Sequence, residues 1–499
     1  MNNNTQQTAY SRWATDSEIK SSLHRTNYNG DKPYRGGIPL YADSSSIYVD
    51  DSDTHSIIIG STGSKKTRLI GMPTLRQLAY SGESFIATDP KAELYEKIFP
   101  LLEKNEYQIF VLNLRDPLQS NCWNPFTIPY EKYINGQKDK AMELVTDLAN
   151  CIVCENSNSR EPYWENSASN LLAGLILIMF EYAEKNEIHF KSLRSLRTQA
   201  FDICERYNGE GIPFIRKNFL KSPSVESFLL TLLSGIADVC DVTRGCILSI
   251  FDMALRPFFY QDNLINMLSK SDFEMNSIGA KKTAVFLIIP DENTLYHRLV
   301  SVFVKQCYSE LILAAQNQPS KKLPRRVNFL LDEFSTLPAI NDFPAMITAS
   351  RSRNIRFNLI IQSVNQLRSM YGCQAETIKG NCENWVFLHS RECELLKEIS
   401  ELCGNRNCDA PLVSASMLQT LDKDKGEVFV MHKRLYPFIA NLLDIDAYPC
   451  VSANGDRVEY PENNRRARAV FDFEEYCYKN EYFEPIFTGR VPEEVDVED

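Results

Sequence analysis

The sequence predicts an α/β protein: a mostly parallel central sheet flanked by helices, interrupted by an inserted all-α domain. Three observations predict it. The apolar run Ser56-Ile57-Ile58-Ile59 enters the turn Gly60-Ser61-Thr62-Gly63-Ser64-Lys65-Lys66-Thr67 and then a helical pattern through Leu69, Ile70, Met72 and Leu75. Strand and helix patterns alternate before and after the middle of the chain, as in a parallel sheet with crossovers. Between about 138 and 271 the alternation gives way to helical runs.

The turn has the layout of a phosphate-binding loop between a buried strand and a helix. Backbone N–H groups wrap a polyphosphate only where side chains stay clear, and the following helix N-terminus adds partial positive charge. Lys66 is expected to reach the β- and γ-phosphates, and the Thr67 hydroxyl to hold Mg²⁺. One position departs from G-x-x-x-x-G-K-[S/T]: Lys65 stands where the motif has glycine. A positive φ there would cost about 1–3 kcal/mol; a negative φ would cost almost nothing. The bland alternative, a Ser/Gly turn before a helix, is weakened by matching elements downstream.

Residues 1–50 read as an irregular arm, with Trp13 and the helical pattern Asp16–Leu23 docking on the body and short strands near Gly36–Leu40 and Ser46–Val49. The first part of the nucleotide-binding domain is 51–137. In it, strand Ser84–Thr88 ends in Asp89-Pro90-Lys91, a helix runs from Ala92 to about Lys104, and strand Gln108–Leu112 follows. Ligands in such sheets sit at strand carboxyl ends, which makes Asp89 and Lys91 candidates. Asp89 as N-cap with Pro90 at N1 explains the same residues, and both readings can hold at once. The insertion, 138–275, has helical runs Ala141–Cys154, Trp164–Glu184, Ser192–Tyr207, Val225–Ala237 and Cys240–Arg256.

The second part, 276–460, opens on the apolar strand Lys282–Pro290, followed by a helix from about His297 to Gln316. Val327–Leu331 then ends in Asp332-Glu333. The aspartate is expected to hold Mg²⁺ through water and the glutamate to orient or deprotonate the attacking water. Strand Arg356–Ile361 ends in Gln362, placed to sense a γ-phosphate. Before it, Arg351, Arg353 and Arg356 are either a solvated surface or a trans-acting set for a neighbour's phosphates. Further strands are expected at Trp385–His389 and Glu427–Met431.

Composition limits the classes. The 499 residues allow two or three domains. Net charge is −11, and the segment from Phe471 to Asp499 holds 10 acids against 2 bases, so −8 lies there and −3 in the rest. There is no global nucleic-acid-binding signature, though a local basic channel stays open. The tail, 461–499, reads as a solvated acidic end; Arg465, Arg466 and Arg468, just before its acidic segment, contact either that segment or a phosphate. The 14 cysteines, with no secretory signal, read as reduced thiols. Cys151-x-x-Cys154 lacks the partner pair a zinc site requires. No run of 18 apolar residues exists, and Leu171–Ala183 suits a buried helix.

These residues together resemble the conjugative coupling proteins of type IV secretion systems (TraG/TraD type), in the FtsK/HerA-like branch of RecA-fold motor ATPases. The resemblance rests on the loop at Gly60, on Thr88-Asp89-Pro90-Lys91-Ala92-Glu93-Leu94-Tyr95 and on Leu331-Asp332-Glu333-Phe334. Ser350-Arg351-Ser352-Arg353, Gln362-Ser363-Val364-Asn365-Gln366-Leu367 and Asn121–Phe126 also carry it, across about Trp13 to Pro449. It implies a RecA-like P-loop domain using ATP and Mg²⁺ in a homo-oligomer, a hexameric ring. The ring would pass single- or double-stranded DNA, or protein effectors, to the channel components of a secretion system, with relaxase and relaxosome proteins as partners.

Carried over by position, Gly60, Ser61, Thr62, Gly63, Ser64, Lys65, Lys66, Thr67, Arg68, Asp89 and Lys91 bind nucleotide. Thr67 and Asp332 bind the metal, while Glu333, Gln362 and one of Arg351 and Arg353 serve catalysis. The family's usual N-terminal membrane helices are not seen, so the expected place is cytoplasmic, at the membrane face through a separate anchoring partner. Two other readings compete with the motor: a non-motor cargo receptor with weak or absent hydrolysis, favoured by Lys65, and a cytosolic HerA-like DNA translocase.

Overall fold

The computed structural model describes residues 10–27, 34–154, 162–207, 210–290, 296–407, 410–448, 458–463 and 468–480. They divide into two compact units, one built from described residues of 1–123 and 271–464, the other from those of 124–270 and 465–499. The sequence places the corresponding changes at 138, 275 and 461.

The strands of the first unit are β1 (His24–Asn27), β2 (Ile38–Ala42), β3 (Ser46–Asp50), β4 (His55–Gly60), β5 (Ser84–Asp89) and β6 (Gln108–Asn113). The second unit contributes β7 (Cys204–Tyr207) and β8 (Glu210–Pro213). The first unit resumes with β9 (Thr283–Ile288), β10 (Val327–Leu331), β11 (Ile355–Ile361), β12 (Cys382–His389), β13 (Glu427–His432) and β14 (Phe438–Asn441). Among the described residues one sheet has the order β14-β13-β12-β4-β11-β10-β5-β9-β6. From β12 to β6 every pairing is parallel; β13 and β14 add antiparallel strands at one edge.

The central strands are buried along their length, which is why they read as apolar runs rather than alternating ones. Alternate residues still face opposite layers. Ile58, Phe85, Leu330 and Ile360 join one core cluster with Leu75 and Leu78 of helix Met72–Ser81 and Leu94 and Ile98 of helix Glu93–Lys104. Phe329 and Phe357 face the other way. They stack with ring centroids 4.8 Å apart, and Phe343 meets Phe357 edge-on at 5.1 Å.

His55, at the foot of β4, joins three elements on that second face. Its Nδ1 accepts from the Phe357 N–H at 3.0 Å, which leaves the ring proton on Nε2 to be donated to the Ile347 carbonyl at 2.9 Å. Ser350 Oγ lies 3.1 Å from Nε2, at the end of helix Phe343–Ser350.

The two short strands expected in the arm are β2 and β3, and with β1, which the sequence did not mark, they form an antiparallel sheet, β1-β3-β2, rather than an irregular segment. Ile38, Leu40, Ile47 and Val49 are buried in the first core cluster. Helix Asp16–Ser22 carries a capping box between Thr15 and Glu18, and Trp13 docks edge-on against Phe429 at 6.4 Å. The turn after β5 is also corrected. Asp89 belongs to the strand, and the N-cap is Ala92 at φ +62°. The Asp89 carboxylate nevertheless accepts the Tyr95 N–H at 2.8 Å, so it satisfies helix donors from the strand end.

In the second unit helix Pro162–Tyr182 is buried along most of its length. It packs against helices Lys138–Val153, Ser227–Ala237 and Asp241–Tyr260. A Cβ at Gly174 would lie 2.6 Å from Leu233 Cδ2, so glycine permits that crossing. The insertion is not wholly helical. The run expected over Ser192–Tyr207 is helix Phe190–Phe201, and β7 then pairs antiparallel with β8. Asn208-Gly209 is the sequence signal for such a hairpin, and those two residues lie outside the described set.

The acidic end is only partly as expected. Phe473 of helix Phe473–Lys479 is fully buried, with rings at Phe214 (5.9 Å) and Phe219 (5.2 Å). Aromatic burial outweighs the local charge. Arg468 donates to the Ser269 carbonyl at 3.1 Å; Arg465, Arg466 and residues 481–499 lie outside the described set. No helix among the described residues is long and apolar enough to cross a membrane.

Burial lowers the His55 pKa to about 4. The unfolded chain, with an ordinary histidine near 6.5, therefore binds the extra proton between pH 6.5 and 4, and stability falls as pH falls through that window. In His55→Asn, chemical denaturation at pH 8 and pH 5 is expected to show that stability difference shrink by about 2 kcal/mol.

Candidate functional site

Parallel pairing brings the carboxyl ends of β4, β11, β10 and β5 to one edge. The loop after β4 begins with the Ser61 N–H bonded to the His389 carbonyl at 2.9 Å and the Ser61 hydroxyl 2.9 Å from His389 Nδ1. The loop then curls back on itself. A Cβ at Gly60 would lie 2.4 Å from Ser64 Oγ and 3.0 Å from Lys66 Cγ, so a side chain there would push both out of place. Gly63 has φ +77°. A single π turn over Thr67–Gly71 joins the loop to helix Met72–Ser81, with the Met72 N–H reaching the Thr67 carbonyl. Such one-turn bulges recur at functional sites.

Lys65 has φ +64°, so the lysine does occupy a backbone conformation that glycine takes cheaply. Its Nζ pairs with Asp424 at 3.0 Å, in the loop before β13. Arg68 forks onto Asp444 and Asp446, which lie after β14. Both loop cations are thus turned to carboxylates 359 to 378 residues away in sequence.

Lys66 is buried and turns inward, donating to the Gly60 carbonyl and, at 3.2 Å, to the Ser61 carbonyl. Burial lowers its pKa, opposed by Asp332 and Glu333. Thr67 Oγ1 donates to Asp332 Oδ2 at 3.0 Å. Burial lifts the Asp332 carboxyl to about 6, against the pull of Thr67 and Lys66. The backbone of this segment is fixed from both sides: Thr88 Oγ1 donates to the Asp332 carbonyl at 2.8 Å, and the Glu333 N–H donates to Asp332 Oδ1 at 2.9 Å. Glu333 itself sits at φ +54°. Gln362 Nε2 donates to Glu333 Oε1 at 2.8 Å, and Thr62 Oγ1 donates to Gln362 Oε1 at 3.1 Å.

The donor set suits a hard divalent cation. Thr67 and Asp332 offer a hydroxyl and a carboxylate side by side, the oxygen ligands Mg²⁺ takes when water and phosphate fill the remaining positions. Ser64 Oγ is buried without a hydrogen-bond partner, a polar atom that a bound group would satisfy. Among the described residues no cluster of three or more His, Cys, Asp or Glu side chains offers an all-protein metal cage.

Gly60 to Thr67, Asp332, Glu333 and Gln362 therefore converge. Five other candidates are placed differently. Asp89 is buried, its carboxyl raised to about 7 by burial and turned toward the amides of Leu94 and Tyr95. Lys91 is exposed nearby, close enough to depress Lys66. Arg68 is engaged by Asp444 and Asp446. Arg351 and Arg353 lie before β11, at the opposite edge, about 23 Å of strand from Gln362. Arg351 pairs with Glu383 and Arg353 with the Lys321 carbonyl. Sequence reading missed His389, Asp424, Asp444 and Asp446, which no local motif marks; parallel pairing of β12 with β4 brings His389 to the loop, and the antiparallel edge strands bring the three aspartates.

A family model described as type IV secretory system conjugative DNA transfer matches residues 12–427. The chain belongs to that family. Similar family members include Protein VirD4 of Agrobacterium fabrum, 22% identical over 432 residues, with 82% of this chain and 58% of the relative covered. Conjugal transfer protein TraG of Escherichia coli is 25% identical over 365 residues, covering 70% of this chain and 55% of the relative. The chain thus spans less than three fifths of the curated relatives it matches. Plasmid coupling protein TrwB, solved with the non-hydrolysable ATP analogue ADPNP, superposes with a TM-score of 0.62 at 14% identity, covering 91% of this chain and 97% of that one. The fold is thus that of a coupling-protein α/β domain of RecA-like type with a helical insertion.

Lys65→Gly is expected to raise unfolding stability by about 1 kcal/mol through relief of the positive φ. Lys65→Ala removes the Asp424 pair but keeps the conformation, so denaturant titration is expected to show no such gain for it.

Proposed function

We propose that this chain is the ATP-driven subunit of a conjugative coupling machine, recruiting DNA or a protein substrate to a type IV secretion channel. One observation carries the reading: in a chain of this family, Lys66, Thr67, Asp332, Glu333 and Gln362 meet at one sheet edge with the partners hydrolysis requires. TrwB, whose solved forms include complexes with ADPNP, GDPNP and ADP with Mg²⁺, supports nucleotide and metal binding there.

In this reading the loop amides and Lys66 hold the β- and γ-phosphates. Thr67 and Asp332 would hold Mg²⁺, which would supply neutralising charge to the phosphates. Glu333 takes a proton from the attacking water as its oxygen bonds the γ-phosphorus. The bond to the β–γ bridging oxygen breaks, and ADP leaves with the electron pair. Gln362 contacts the γ-phosphate. One of Arg351 and Arg353 acts in trans, because their edge can face a neighbour's site but not their own. This favours a closed homo-oligomer, a hexamer, over an isolated chain. Relaxosome proteins, channel components and a membrane-anchoring protein are the partners proposed, with the chain working at the cytoplasmic face of the membrane. The receptor reading keeps one supporting observation, the strained Lys65, whereas the intact Thr67–Asp332 and Gln362–Glu333 contacts favour hydrolysis.

Steady-state ATP turnover with and without single-stranded DNA tests this. The wild type is expected to turn over and DNA to accelerate it, while Glu333→Gln loses about 100-fold or more in kcat with ATP binding retained. A wild type at the Glu333→Gln level, woken by Lys65→Gly, would instead establish the receptor reading.

The trans assignment has its own test. Arg351→Ala and Arg353→Ala are each mixed with Lys66→Ala, whose own nucleotide site is dead. The arginine that acts in trans is the one whose variant, inactive alone, regains turnover in the mixture; recovery by neither places both arginines outside catalysis.

A further inference from the structure

We propose that Thr62 is a positioning residue for hydrolysis: it sets the amide of Gln362 so that one N–H holds Glu333 and the other is left for the γ-phosphate. The inference rests on the hydrolytic reading above and assigns a role to a loop position that G-x-x-x-x-G-K-[S/T] leaves open.

The direction of each bond follows from chemistry. An ionised Glu333 carboxylate only accepts hydrogen bonds, so the Gln362 atom 2.8 Å away is the amide nitrogen. The amide oxygen therefore faces Thr62 Oγ1 at 3.1 Å, and the threonine hydroxyl must be the donor. Hydroxyl, carboxamide and carboxylate form a directed chain from the phosphate loop to the second motif. A carboxamide has two N–H groups, and Glu333 uses one.

The same chain limits what Thr62 can do for nucleotide. With its proton committed to Gln362, the hydroxyl presents lone pairs to an incoming phosphate oxygen, so it adds little to affinity. Its effect falls on amide orientation. Without the hydroxyl, the amide is free to turn its oxygen toward Glu333, acceptor against acceptor. Glu333 is sensitive to this because its backbone is in the left-handed region, and Gln362 restrains its side chain. Thr62 is exposed, so replacing it by an isosteric apolar residue leaves the core untouched.

Steady-state hydrolysis by Thr62→Val and Thr62→Ser, alongside wild type and Glu333→Gln, tests the inference. Thr62→Val is expected to lose about three- to tenfold in kcat, the effect of one neutral hydrogen bond. Its KM for ATP and its affinity for a fluorescent ADP analogue are expected to stay within about twofold of wild type. Thr62→Ser, which keeps the hydroxyl, is expected to restore kcat. An undiminished kcat in Thr62→Val, or a raised KM with kcat unchanged, overturns the inference while the hydrolytic reading stands. A wild type no faster than Glu333→Gln overturns the hydrolytic reading, and this inference with it.

Discussion

Parallel register is the constraint on which the site depends. Ile59 pairs with Ile361, Leu331 with both Leu359 and Thr88, and each strand ends within a residue or two of its neighbour. Four segments distant in sequence therefore deliver their polar ends to one line. The Thr67–Asp332 bond spans β11, which lies between the strands that carry its two residues. A slip of one residue in either pairing would turn alternate side chains to the other face and separate them.

The burial that secures this register also sets the electrostatics. Asp332 and Asp89 are held among apolar strands and resist ionisation, while Lys66 gives up its proton more readily. In the proposed function, phosphate and a divalent cation would supply the counter-charges that these buried groups lack. Two of the left-handed non-glycine backbones, Lys65 and Glu333, flank that gap. Strain is tolerated where surrounding bonds over-determine the geometry, and for Glu333 those bonds come from Asp332 and Gln362.

Much of this was legible in the sequence because it is local. Buried parallel strands are continuous apolar runs, and Gly60–Thr67 and Asp332-Glu333 are contiguous motifs at their ends. What escaped was non-local or weakly patterned. β2 and β3 were readable as short strands, but β1 and the sheet they form were not, because its burial depends on docking of β2 against helix Met72–Ser81 and β14. The β7–β8 hairpin continues a helical-looking run past Phe201. Asp424, Asp444 and Asp446 are ordinary surface acids until the antiparallel edge strands carry them to the loop. Asp89 illustrates a motif residue whose structural duty, satisfying Leu94 and Tyr95, was visible in its type but assigned to the wrong cap position.

β4 is six residues, about 20 Å, fully buried, with the loop at its head and His55 at its foot. His55 bonds the last turn of the helix that leads directly into Arg351. Packed interiors have low compressibility, so this one strand ties the loop and the arginine turn, at opposite ends of the sheet, into a single rigid frame.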